Sequence, residues 1–337
     1  MNLIIIGAGR MGIRHAQGAL LVNSVKKVTV LDIFPAALEN AATILNKEDP
    51  NGKLSFQLFE EFVADNTEYD VAIIASTADS RTQLLKLLAK KNCKTILAEK
   101  PLGQSMEEVR EFAETVDQLG ISCSINLNMR LYPGFRQLQK DLQELPQLKG
   151  PVSITINTGT IGIGANGIHY LDLLFFLLEA DKAEIAAAEI DTATIPSGRG
   201  PQFLDFGGWA VVKFYQKGID KGKALISMAS DSTAMGGWEL VAPHGRIFIN
   251  EIDQKRLTAL RKADSQMPIQ RYAADYLPTA ESVFEGSPLS ELTAQWLEGL
   301  AQHKNLLPSV QESMKVHHLL FDWLSFSKTH SKKYPIT

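Results

Sequence analysis

The chain has 337 residues, 45% hydrophobic and 21% charged, which suits a folded protein of two ordinary domains and excludes a disordered or fibrous one. Its 34 basic and 38 acidic residues leave a formal charge of −4 without any lysine or arginine run, so no nucleic-acid partner is expected. Cys93 and Cys123 are too few for a disulfide framework and read as small core residues; with no signal-peptide pattern and no apolar run of membrane-spanning length, a cytoplasmic protein without a membrane partner is expected.

In chain order, Leu3-Ile4-Ile5-Ile6 reads as a buried parallel strand that runs into Gly7-Ala8-Gly9-Arg10-Met11-Gly12. This is the pattern of a dinucleotide-binding turn. Gly7 allows the sharp turn, Gly9 allows backbone to approach a pyrophosphate, and Gly12 allows the next helix to pack on the strand. That helix, with Arg10 and Met11 in its first turn, offers unpaired N–H groups to phosphates. A second strand, Val28 to Asp32, ends at the interval after Gly12 where a ribose-binding acid stands. The Asp32 carboxylate accepts from ribose hydroxyls and repels the additional phosphate of NADP, so NAD is the expected cofactor, with NADP second because Arg10 lies at the phosphate turn.

Strand-like and helix-like segments then alternate: Ala36 to Leu45 helical, Leu54 to Gln57 and Val71 to Ala75 extended, Leu84 to Ala89 helical, Thr95 to Ala98 extended. The alternation predicts an α/β domain with a doubly wound parallel sheet. Ser105-Met106-Glu107-Glu108 has the form of a capping box for a helix that Gly120 ends, and Ile121 to Asn126 is the next strand. Ligands bind at the carboxyl edge of such a sheet, which gathers the turns after Ile6, Asp32, Ala75 and Ala98 and so adds Ser76, Thr77, Glu99 and Lys100 to the cofactor-binding candidates.

Pro133 starts a helix to about Leu145, and the grammar changes after Pro146 to Pro151. Val152 to Thr158, Ile185 to Ala193, Trp209 to Tyr215, Ala224 to Ala229, Trp238 to Ala242 and Arg246 to Asn250 are extended candidates, which predicts a mainly antiparallel open sheet in an α+β domain. Leu289 to His303 and Ser309 to Ser327 are helical. The expected domains are 1–126 for the cofactor, 127–310 for substrate and oligomer contacts, and 311–337 as a C-terminal helix and tail packed back on the protein. A second glycine run, Gly162-Ile163-Gly164-Ala165-Asn166-Gly167, precedes the helix Ile168 to Leu178, but no β/α series follows it. It reads as a flexible close-approach loop facing the first domain, not a second nucleotide site.

Three further stretches carry chemistry: Glu99-Lys100-Pro101 at a strand end, Asn128-Met129-Arg130-Leu131-Tyr132-Pro133, and Gly167-Ile168-His169-Tyr170-Leu171-Asp172-Leu173. With the glycine turn, and with Leu307-Pro308-Ser309 before the last helix, they resemble the Gfo/Idh/MocA oxidoreductase family along almost the whole chain. The resemblance implies an N-terminal Rossmann domain, a second domain whose open sheet often forms the interface of a homodimer or homotetramer, and NAD(P)-dependent transfer of a hydride to or from a CH–OH carbon of a sugar, nucleotide-sugar or cyclitol. It implies Lys100 and His169 as the catalytic pair, meeting at the nicotinamide end of the cofactor, and Asn128, Arg130, Asn166 and Asp172 as substrate-binding residues.

These roles have a chemical basis. Oxidising a carbinol requires removal of its hydroxyl proton, so a base or a cation must stand beside that oxygen. A partly desolvated Lys100 can hold the oxygen and relay the proton, and His169 in the first turn of a helix stays neutral as a base. Asp172, one turn on, orients the imidazole, binds a substrate hydroxyl or serves as a buried cap. The chain departs from the family at Ala165, where many members carry an aspartate four residues before the histidine; Asn166 or Asp172 is the expected substitute. His15, His244, His303, His317, His318 and His330 show no ligand spacing, and no metal is expected. The same resemblance admits an NAD-dependent glycosidase and a non-catalytic NAD- or sugar-binding regulator.

Overall fold

The computed structural model describes residues 1–159, 161–234, 236–268, 275–327 and 333–337; His330 and part of the expected C-terminal tail lie outside them. In chain order the elements are β1 (Asn2–Ile6), α1 (Arg10–Leu20), β2 (Lys27–Asp32), α2 (Pro35–Leu45), β3 (Leu54–Leu58), α3 (Phe59–Ala64), β4 (Val71–Ile74), α4 (Arg81–Lys90), β5 (Thr95–Ala98), α5 (Met106–Leu119) and β6 (Ser122–Ile125). There follow α6 (Pro133–Glu144), β7 (Val152–Thr158), α7 (Ile168–Leu177), β8 (Lys182–Pro196), β9 (Leu204–Gln216), β10 (Ile219–Met228), β11 (Gly237–Ala242), β12 (Gly245–Asn250), β13 (Lys255–Leu260) and β14 (Ala280–Val283). Two helices close the chain, α8 (Leu289–Ala301) and α9 (Val310–Leu324).

The chain forms two compact units, one of Met1–Asn128, Ser287–Met314 and Ile336–Thr337, the other of Met129–Gly286 and Lys315–Pro335. Residues 287–310, expected with the second domain, and 311–314, expected in the C-terminal helix, thus fold with the first unit. The reason lies in close packing of α8 on α1: a Cβ on Gly18 would stand 2.3 Å from the Ser290 carbonyl oxygen, so only glycine admits that approach.

The first unit holds six parallel strands in the order β3-β2-β1-β4-β5-β6. Leu3, Ile4, Ile5, Val71, Ala72 and Ile73 are all buried, as expected for central strands covered on both faces. Strand order reverses between β1 and β4, and the crevice at that switch point is where such sheets bind ligands. The expected cap on α5 forms at Ser105, whose Oγ accepts from the Glu108 N–H at 3.2 Å, and Gly120 ends the helix with φ 59°.

The second unit carries eight strands in the order β14-β13-β12-β11-β7-β10-β9-β8, antiparallel except for the β7–β10 pair. Burial alternates along β12, with Ile247 and Ile249 inside and Arg246 and Phe248 outside. Leu225, Val241, Phe248 and Leu257 are exposed on the same face of neighbouring strands. Among the described residues no helix is long and apolar enough to cross a membrane.

Candidate active site

In the first unit the glycine turn has the expected build. Gly7 has φ +111°, and a Cβ on Gly12 would lie 1.8 Å from the Gly7 carbonyl oxygen, so both positions require glycine. A Cβ on Gly9 would meet nothing within 4 Å. Gly9 and Arg10 are exposed and Met11 half-buried at the start of α1, which has no side-chain cap. Asp32 reaches this turn from β2: its Oδ2 accepts from the Ala8 N–H at 2.7 Å and its Oδ1 from the Phe34 N–H at 3.0 Å. An open helix start flanked by a carboxylate fits a dinucleotide, with phosphate at the turn and ribose at Asp32.

Glu99, Lys100, Ser76 and Thr77 stand at the same carboxyl edge, where the Glu99 N–H continues the ladder to the Ile74 carbonyl at 3.0 Å. The side chain of Glu99, expected among the cofactor contacts, is 0% exposed. Its Oε1 accepts from Asn126 Nδ2 at 2.7 Å and lies 3.0 Å from His15 Nε2, while His15 Nδ1 lies 2.8 Å from Thr293 Oγ1. The carboxylate therefore anchors the strand end that carries Lys100, and contact of Glu99 with a ligand would fall to its backbone. Lys100 is itself buried, as is Asn128 after β6.

Arg81, fully buried, escaped notice in the sequence because an arginine opening a helix reads as solvated. Its Nη2 donates to the Ser76 carbonyl at 2.8 Å and its Nη1 to the Pro101 carbonyl, so one guanidinium joins the loop after β4 to the loop after β5. A planar fork with several donors suits such a clamp better than a lysine.

In the second unit Arg130 and Asp172 come together as a bidentate pair, Nε to Oδ2 at 2.6 Å and Nη2 to Oδ1 at 2.5 Å, with Asp172 buried and the guanidinium 5.5 Å from the Phe176 ring centroid. His169 is half-buried near the start of α7. The helix begins at Ile168 as expected, and a π-helical turn, Ile163–Gly167, leads into it. Asn166 Nδ2 donates to the Ile161 carbonyl within this loop. The turn is held from β9 by Asp205, whose Oδ1 accepts from the Gly164 N–H at 2.8 Å and whose Oδ2 accepts from the Ala165 N–H at 2.7 Å.

That carboxylate also explains the second glycine run. Gly162 has φ +76°, and a Cβ there would come within 2.2 Å of Asp205 Oδ2. The N–H groups a phosphate would need are already taken by the protein's own anion, so the run serves packing. Beside His169, the Tyr170 hydroxyl and Trp238 Nε1 both donate to Glu251 Oε1, at 3.3 and 2.6 Å. Burial holds the Glu251 carboxyl above its ordinary range, and burial with the Glu251 charge raises the Tyr170 phenol, which keeps its proton to donate.

Residues 1–127 match the model of an oxidoreductase family with an NAD-binding Rossmann fold, GFO_IDH_MocA. The NAD-dependent scyllo-inositol 2-dehydrogenase of Bacillus subtilis is 27% identical over 289 residues, covering 79% of this chain and 78% of that protein. Among solved structures, a levoglucosan dehydrogenase in complex with NADH and levoglucosan superposes with TM-score 0.71 at 17% identity, covering 98% of each chain. The UDP-N-acetylglucosamine 3-dehydrogenase of Acidithiobacillus ferrooxidans superposes with TM-score 0.70 at 13% identity, covering 98% of each chain. At such identities the structural likeness speaks for the fold alone.

Proposed function

Since residues 1–127 match the Gfo/Idh/MocA oxidoreductase family model and an NAD-dependent inositol dehydrogenase is 27% identical over 79% of the chain, we propose that the protein is an NAD-dependent dehydrogenase or reductase that moves a hydride between nicotinamide and a carbinol or carbonyl carbon of a sugar, nucleotide-sugar or cyclitol. The observation that carries this reading is Lys100, 7% exposed at the carboxyl end of β5, on the same sheet edge as the glycine turn after β1. A cation buried at a ligand-binding edge is placed to hold an oxygen on which negative charge develops.

NAD, when bound, takes up or returns the hydride. Gly7, Gly9, Gly12, Arg10 and Met11 hold its phosphates, Asp32 its adenosine ribose, and Ser76, Thr77, Glu99 and Lys100 line the rest of its path. Lys100 holds the reacting oxygen and relays its proton, and His169 accepts that proton in oxidation and returns it in reduction. Asn128, Asn166 and the Arg130–Asp172 pair bind the remaining ring hydroxyls. The inositol substrate named for the Bacillus subtilis relative supports a polyhydroxylated ring. A reducing cytoplasm suits the two free, buried cysteines, and the exposed apolar face of the second sheet suits a homodimer or homotetramer.

The test is a panel of cyclitols and free and nucleotide-linked sugars with NAD, followed by NADH absorbance. At least one member should give net NADH. Cleavage of a glycoside without net NADH, or binding without turnover across the panel, would refute the reading.

A further inference from the structure

Resting on the role proposed for His169, we infer that Asp205 is its positioning carboxylate, doing from a distant strand what the aspartate absent at Ala165 would do from the next turn. The carboxylate is 5% exposed, and a buried charge of this kind is tolerated only when its lone pairs are filled. Three backbone N–H groups fill them here: Gly164 and Ala165 in the π-helical turn, and Phe206 at 2.8 Å beside Asp205 itself. Two of the three belong to the loop that sets where α7 begins.

The local candidates for this task are engaged with other groups. Asn166 donates to the Ile161 carbonyl, and both oxygens of Asp172 accept from Arg130. Asp205 by contrast binds the N–H of Ala165, the residue whose side chain would otherwise bear the carboxylate. Gly162 has the single side chain, a hydrogen, that leaves room for it.

Two consequences reach His169, one turn further on. The bonds to Gly164 and Ala165 fix the π-helical turn, and with it the register of α7 and the place of the imidazole. The anion also meets the positive end of the helical segment, so the segment's dipole is offset before it reaches the ring and an imidazolium formed during turnover is better tolerated. Asp205 acts through the loop and not on the substrate.

The test uses the full chain with histidine labelled for NMR, the His169 imidazole signal being assigned by its loss in His169→Ala. Asp205→Asn should move that signal while leaving NADH affinity, read by fluorescence titration, within about twofold. On the best substrate of the panel above, kcat should fall about 10- to 100-fold with KM for NAD unchanged. Ala165→Asp should restore both signal and kcat in the Asp205→Asn background, and Asp205→Glu should retain most of kcat.

An unmoved His169 signal in a folded Asp205→Asn protein overturns the inference, as does failure of Ala165→Asp to restore it. Should Asp205→Asn not fold, the double variant decides: folding with a wild-type His169 signal supports the inference, and remaining unfolded refutes it. Full turnover in His169→Ala would instead refute the catalytic role of His169, so the two failures are distinguishable.

Discussion

Asp32 has two duties that pull on one carboxylate. Oδ2 accepts from Ala8 in the glycine turn, and the remaining lone pairs face the ribose in the proposed complex. Asp32→Arg should therefore reverse the ratio of NADH to NADPH affinity by a discrimination of about 1–3 kcal/mol. It should also weaken both complexes, because the Ala8 N–H loses a charged acceptor. Fluorescence titration with each cofactor measures both effects. Lys100 and His169 should behave as a unit: each alanine variant should lower turnover by roughly 10²- to 10⁴-fold with NAD affinity nearly unchanged, and the double variant should be little worse than the worse single one. Additive losses in steady-state kinetics would separate their roles.

Among the elements, α1 depends most narrowly on one residue. Gly12→Ala drives a methyl into the Gly7 carbonyl, so the helix must move off β1; a loss of roughly 1–3 kcal/mol in thermal unfolding is expected, with NADH binding impaired. At the end of β12, burial raises Glu251 above its usual 4.5 despite the Trp238 and Tyr170 donors. The folded protein then holds that proton more tightly than the unfolded chain, so stability falls as pH rises from about 4.5 through the raised value and stays lower above it. Glu251→Gln lacks this loss. Its melting temperature relative to the unsubstituted protein should climb across that window and then level off.

The sequence displays such elements unevenly. Strands β1 and β4 stand out because burial on both faces makes them unbroken apolar runs, whereas β14, Ala280–Val283, is exposed at every position and carries no alternation. Within the candidate site, Gly7, Gly12, Asp32 and Lys100 were legible because local spacing places them. Arg81, Asp205 and the His15–Glu99 contact were not, since what each binds lies elsewhere in the chain: Arg81 at Pro101, Asp205 at Ala165, His15 at Glu99 and Thr293.

At the scale of the molecule, the second sheet leaves Leu225, Val241, Phe248 and Leu257 on one face, Phe248 paired with Leu257 across β12 and β13 and covered in part by the Arg246 guanidinium at 4.3 Å. Exposed apolar side chains gathered on one sheet face are costly in water, and in the assembly proposed above they are buried against a symmetry mate. Sedimentation should find a dimer or tetramer at micromolar concentration, and Phe248→Glu with Leu225→Glu should yield monomers that retain NADH binding. A wild-type monomer would refute this assembly.

The return of residues 287–314 to the first unit bears on how the protein is made. A ribosome delivers β1 through β6 early, but the α8 surface that covers α1 and supplies Thr293 to His15 emerges only after the whole second sheet. At translation speeds of about 5–20 residues per second that delay is on the order of ten to thirty seconds. Throughout it the nascent first unit carries an uncovered helix and a buried-type histidine open to water. Chaperone contact during synthesis should accordingly concentrate on α1, and a ribosome stalled after Asn128 should hold a protease-sensitive chain that becomes resistant once Met314 has cleared the exit tunnel.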